Sequence, residues 1–74
     1  MTIEKKDDII DILSRNMKKL RTKAKITQEE LSFRSGLHRN YISDSERGRR
    51  NVSLKVIEKI AEGLGVEVKD LFKK

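Results

Sequence analysis

An all-α domain of five helices is what this 74-residue chain predicts, and three observations predict it. Apolar residues recur every three or four positions along 9–24 and again along 54–64, the spacing of one helix face. Proline is absent and glycine sparse, so nothing interrupts the backbone hydrogen bonds of those stretches. The shorter segments carry start and stop signals: Thr27 before residue 28 and Gly36 after residue 35, then Ser53 before residue 54 and Gly65 after residue 64.

Taken in order, residues 1–6 read as a frayed end of the single domain 1–74. The first helix is expected from Asp7 to Lys23, with acids leading and bases closing it, as its macrodipole favours. Ile9, Leu13, Met17, Leu20 and Ala24 form its core stripe; Ile10 and Ile12 lie off it and are expected to cover a partner or a neighbouring helix. Thr27 caps the second helix, residues 28–35, with Glu30 at capping-box spacing and Ile26 placed to staple onto Leu31. Phe33 points away from Leu31 and is a candidate interface residue. Gly36 supplies the left-handed turn.

A third helix of two turns, roughly 39–47, follows His38 in the N-cap slot and ends at Gly48. Leu37 and Ile42 anchor it. Ser53 caps the fourth helix, whose stripe is Leu54, Ile57, Ile60, Ala61 and Leu64; Gly63 within it implies close approach by a neighbouring helix. A fifth short helix, about 67–73, carries Val68, Leu71 and Phe72. Three large apolar residues crowd a very short terminal element, so they are expected in part to close the monomer core and in part to meet a partner.

Charge narrows the function. Net charge is +6, with 41% of residues charged, and residues 15–25 hold Arg15, Lys18, Lys19, Arg21, Lys23 and Lys25 without an acid. Arg47, Arg49 and Arg50 crowd the loop after the third helix, a repulsion that phosphates or a narrow minor groove would relieve. The outer faces of the third helix present Arg39, Asn40, Tyr41, Ser43 and Asp44, donors and acceptors suited to base edges. Arg39 has the fork that matches guanine. Asn40 and Ser43 could read bases or a phosphate, Tyr41 a thymine methyl or a flexible step, and Asp44 could accept from cytosine or steer Arg39. Thr27, Gln28, His38, Arg47, Arg49, Arg50, Asn51 and Ser53 are the backbone-contact candidates.

No catalytic constellation, phosphate-binding glycine loop or metal-ligand spacing is present, so neither an enzyme nor a metal or other cofactor is expected. Cysteine is absent, and no apolar run is long enough for a signal peptide or a membrane span, which fits a cytoplasmic protein.

The run Ile26-Thr27-Gln28-Glu29-Glu30-Leu31-Ser32, then Gly36-Leu37, Tyr41-Ile42-Ser43 and Glu46-Arg47-Gly48, resembles the phage-repressor (Xre-type) helix-turn-helix family. Residues 37–44 followed by 46–54 are similar, more narrowly, to the controller proteins of restriction–modification systems. The resemblance implies a lambda-repressor-like DNA-binding domain with its helix-turn-helix at helices 2 and 3. It implies an Arg21–Glu46 ion pair, a phosphate contact by Gln28, and a homodimer formed through helices 4 and 5, with Val68, Leu71 and Phe72 at the interface. The implied partner is pseudo-palindromic double-stranded DNA, bound to activate at low occupancy and repress at high occupancy, with RNA polymerase as a partner in activation. Two other jobs for the same fold are a phage or mobile-element repressor and a protein-binding, antitoxin-like module. The family favours Ala at position 32 and a large aliphatic residue at 45; this chain has Ser at both, and Ser45 is expected to leave either an underpacked spot or a buried hydroxyl that needs a partner.

Overall fold

The computed structural model describes residues 8–74; the expected start of the first helix at Asp7 and the frayed segment 1–6 lie outside them. Four α-helices form: α1 Ile9–Lys23, α2 Gln28–Ser35, α3 Arg39–Glu46 and α4 Leu54–Leu64. The expected fifth helix is instead a 3₁₀-helix, Val68–Phe72. Its C-terminal end is held to α1 by the Asn16 side chain, which donates to the Leu71 and Lys73 carbonyls. Among the described residues all regular structure is helical.

Each α-helix begins on a side-chain cap, and each cap satisfies a backbone donor the helix cannot. Asp8 accepts from the Ile10 amide at 2.8 Å, Thr27 from Glu30 at 3.0 Å, His38 Nδ1 from Asn40 at 3.1 Å and Ser53 from Val56 at 3.2 Å. Glu30 pairs with Arg34 along α2 (2.9 Å). The glycine turns fall where expected, with Gly36 at φ 73° and Gly65 at φ 72°. Lys25, between α1 and α2, also takes a left-handed φ of 60° without being glycine.

Leu13, Met17, Leu31, Ile42, Ile57, Ile60, Ala61, Leu64 and Leu71 make one core, with Ile26 and Leu37 packed against it. Two of the expected stripes shift at their ends. Ile9 is 59% exposed and Leu54 84% exposed, and Ala24 is the exposed C-cap residue of α1, whereas Ile12 is buried. Ile9 and Leu54 are both the first residue of their helix, beyond the turn that faces the core. Gly63 lies at the α2–α4 contact. A Cβ there would meet Leu31 Cδ1 at 2.8 Å and Ser35 Cβ at 3.2 Å, which is the close approach the glycine implied.

Candidate nucleic-acid interface

The α2–turn–α3 unit is built around hydrogen bonds that converge on the turn. The amides of Gly36 and Leu37 both donate to the Ser32 carbonyl, at 2.9 and 3.2 Å, closing α2 on its left-handed residue. The Ser32 hydroxyl donates to the Leu37 carbonyl. Serine at this position therefore stays small enough for close packing and also ties the two ends of the turn together. Leu31 and Ile42, both fully buried, fix the helices to the core.

An ionic brace sets the tilt of α3. Arg21 of α1 grips Glu46 with two donors, Nε at 2.6 Å and Nη2 at 3.0 Å, and donates from Nη1 to the Ile26 carbonyl at 2.9 Å. Gln28 Nε2 adds a third donor to Glu46 at 3.2 Å. The Glu46 side chain is only 4% exposed, so its charge is removed from water and held by this fork. The hydrogen bond to Glu46 raises the Arg21 pKa above its ordinary value, against the opposing effect of burial. Thus the first residue of α2, the last of α3 and the last turn of α1 meet at one point. Gln28 stands at the N-terminus of α2, yet its amide is committed to the brace in this structure.

Ile42, Ser45 and the Glu46 carboxylate turn inward, and the side chains of residues 39–41, 43 and 44 stay at or near the surface. Arg39 and Asn40 are exposed; Tyr41, Ser43 and Asp44 are half-buried. Arg50, expected only as a backbone contact, folds back onto this helix. Its guanidinium lies 4.4 Å from the Tyr41 ring centroid, and its Nε donates to Asp44 Oδ2 at 3.3 Å. The Asp44 carboxylate is therefore engaged with Arg50. The Asp44 carbonyl accepts from the Arg49 amide at 3.0 Å, which presses the arginine loop against the end of α3.

The remaining candidates frame that face. Thr27 and Ser53 spend their hydroxyls on caps while staying exposed. Because His38 Nδ1 accepts, Nε2 carries the ring proton of the neutral tautomer and is left as a donor. Arg47 and Arg49 are exposed. Asn51 departs from the set, since it lines an apolar groove with Ile9, Ile10, Val52, Leu54 and Phe72. Of the residues expected at a dimer contact, Leu71 is fully buried in the protomer core, Val68 is 42% exposed and Phe72 half-buried at the groove edge. Sequence reasoning missed Ile9 and Leu54 as surface residues. The signal available was their place immediately after a cap.

Among the described residues no cluster of His, Asp or Glu is arranged to hold a metal ion, and no helix is long and apolar enough to cross a membrane.

Comparison with known proteins agrees with this geometry. Residues 17–71 match the family model described as Helix-turn-helix. The control protein C.BamHI of Bacillus amyloliquefaciens is 60% identical over 50 residues, a match covering 68% of this chain and 62% of that protein. The crystal structure of the restriction–modification controller protein C.AhdI from Aeromonas hydrophila superposes with a TM-score of 0.82 at 43% identity, covering 85% of this chain and 96% of that one. The controller C.Esp1396I, solved as a tetramer in complex with its natural 35 base-pair operator, superposes with a TM-score of 0.79 at 35% identity, covering 89% of this chain and 97% of that one. The chain therefore belongs to the helix-turn-helix family, in its branch of restriction–modification control proteins.

Proposed function

We propose that this protein is a restriction–modification controller that binds a pseudo-palindromic operator as a homodimer, activating and then repressing transcription. The observation that carries the reading is the surface of α3. Arg39 and Asn40 stand exposed on a short helix whose tilt is fixed by the buried Glu46 brace, beside a loop of three arginines. A helix of eight residues fits the major groove, and two such helices, about 34 Å apart across a two-fold axis, read successive turns of one duplex face. Arg39 pairs with guanine; Asn40 and Ser43 contact neighbouring bases or phosphates; Arg47 and Arg49 hold the backbone. The exposed apolar groove, with Leu54 and Phe72 on its walls, takes the second copy. Activation places the dimer beside RNA polymerase, and repression follows as a second dimer joins.

The experiment is a selection of bound duplexes from a random pool, followed by binding of Arg39→Ala to the selected operator. Substitution should cost about 1–3 kcal/mol and relax preference at one base pair per half-site. Equal loss on every sequence would assign Arg39 to the backbone. A selection that yields no consensus, with no binding to duplex DNA even at low salt, would point to a protein-binding module instead. A methylase or endonuclease gene beside this one would mark the controller rather than a phage repressor.

A further inference from the structure

We infer that Asn16 is a positioning residue that sets the half-site spacing of the operator, by fixing the recognition helix relative to the dimer-forming surface through α1. The inference rests on the proposed dimeric DNA-binding function. Two observations carry it. First, the Asn16 amide nitrogen donates to two carbonyls of the terminal segment, Leu71 at 2.9 Å and Lys73 at 2.8 Å. These contacts join residues 55 and 57 positions apart in sequence. They hold the 3₁₀-helix that buries Leu71 and brings Phe72 to the wall of the apolar groove. Second, Arg21 on the same helix holds Glu46, the last residue of α3. Residues 16 and 21 are five apart, which places them roughly 140° apart around the α1 axis and about 7.5 Å along it. One flank of α1 therefore grips α3 and another grips the terminal segment.

The consequence is mechanical. A dimer reads two half-sites at a separation fixed by the path from one α3 to the two-fold axis and back. Along that path the 3₁₀-helix is the weakest member, because it is only five residues long and 3₁₀ hydrogen bonds are in general less well aligned than α-helical ones. Leu71 anchors its position but one buried side chain does not set its rotation. Two hydrogen bonds from one rigid amide do. The Asn16 amide is bonded to the terminal segment rather than to the α3 reading face, so its effect on DNA binding is exerted through the geometry it imposes.

The test compares native protein and Asn16→Ala on the selected operator and on duplexes whose central spacer is one base pair longer or shorter. Affinity for a duplex with one half-site should be unchanged within about twofold. The native penalty for a wrong spacer should shrink by about tenfold in the variant, the scale of two lost net hydrogen bonds. A folded Asn16→Ala protein that discriminates spacers as the native one does overturns the inference. Asn16→Ser, which keeps one donor, should fall between the two and serves if the alanine variant does not fold. In the native protein the Asn16 side-chain amide protons should exchange slowly with solvent, and exchange at the rate of a free amide also overturns it. Should the native protein select no operator at all, the functional reading fails, and amide exchange alone decides whether the clamp exists.

Discussion

Ser45 shows how much a single atom can matter in a domain this small. Its side chain sits in the core, 2% exposed, and its hydroxyl is the one buried side-chain polar atom among the described residues without a hydrogen-bond partner. An unsatisfied buried hydroxyl costs about 1–3 kcal/mol. Ser45→Ala should therefore raise the midpoint of urea unfolding and stabilise the fold by about 1 kcal/mol, with no loss of DNA binding. A lower midpoint would mean that the hydroxyl has a partner, such as a trapped water. The inward orientation of position 45 was legible through the family likeness, which places a large aliphatic residue there. What surrounds the hydroxyl was not, because its neighbours come from distant parts of the chain.

At the scale of elements, α2 and α4 approach so closely at Gly63 that the usual propensity rule reverses. In an exposed helix Gly→Ala gains up to about 1 kcal/mol. Here the added carbon would meet Leu31, Ser35 Cβ and the Ser35 backbone nitrogen, at 2.8, 3.2 and 3.3 Å. Gly63→Ala should destabilise by about 1–3 kcal/mol in denaturant unfolding; a stabilised variant would show that α2 moves aside freely. The terminal 3₁₀-helix has its own sensitivity to acid. Asp70 accepts from Lys73 at 2.9 Å and from the Glu67 amide at 3.0 Å, and its pKa is lowered, first by the hydrogen bond to Lys73 and then by that to the Glu67 backbone. A lowered carboxylate pKa means that its stabilising contribution is present above the unfolded-state value and is lost as pH falls through the folded one. Amide exchange in residues 67–72 should accelerate as pH drops below the ordinary carboxylate range, beyond the intrinsic trend. Asp70→Asn should remove that extra acceleration, and a variant that keeps it would place the sensitivity elsewhere. Caps and glycine turns explain why the four α-helices could be read from sequence so closely. The end of α1 at Lys23 was read as closely, although the left-handed φ of Lys25 beyond it has no glycine to announce it.

For the whole molecule, the decisive surface is the apolar groove. Leu54, 84% exposed, stands beside Ile9 and half-buried Phe72, and a large exposed leucine next to such neighbours costs solubility unless it is covered. Leu54→Glu should leave monomer unfolding within about 0.5 kcal/mol of native, since the side chain contributes little to the protomer core. It should shift the protein from dimer to monomer in sedimentation equilibrium, and weaken operator binding far more than half-site binding. A Leu54→Glu protein that remains dimeric would move the interface away from this groove.

The sequence by itself determined the four α-helices, the turn at Gly36 and the residues offered on α3, but not the 3₁₀ form of the terminal segment. Each of these follows from local rules, namely capping, periodicity and the conformational freedom of glycine. It also carried the family likeness that pairs Arg21 with Glu46. Only the tertiary structure decided that Gln28 joins that pair, that Arg50 lies over Tyr41 and Asp44, and that Asn16 holds the terminal segment. It likewise turned Ile9 and Leu54 outward and Leu71 inward. These contacts join residues far apart along the chain, and their geometry depends on how four helices pack at once, which no single stretch of sequence contains.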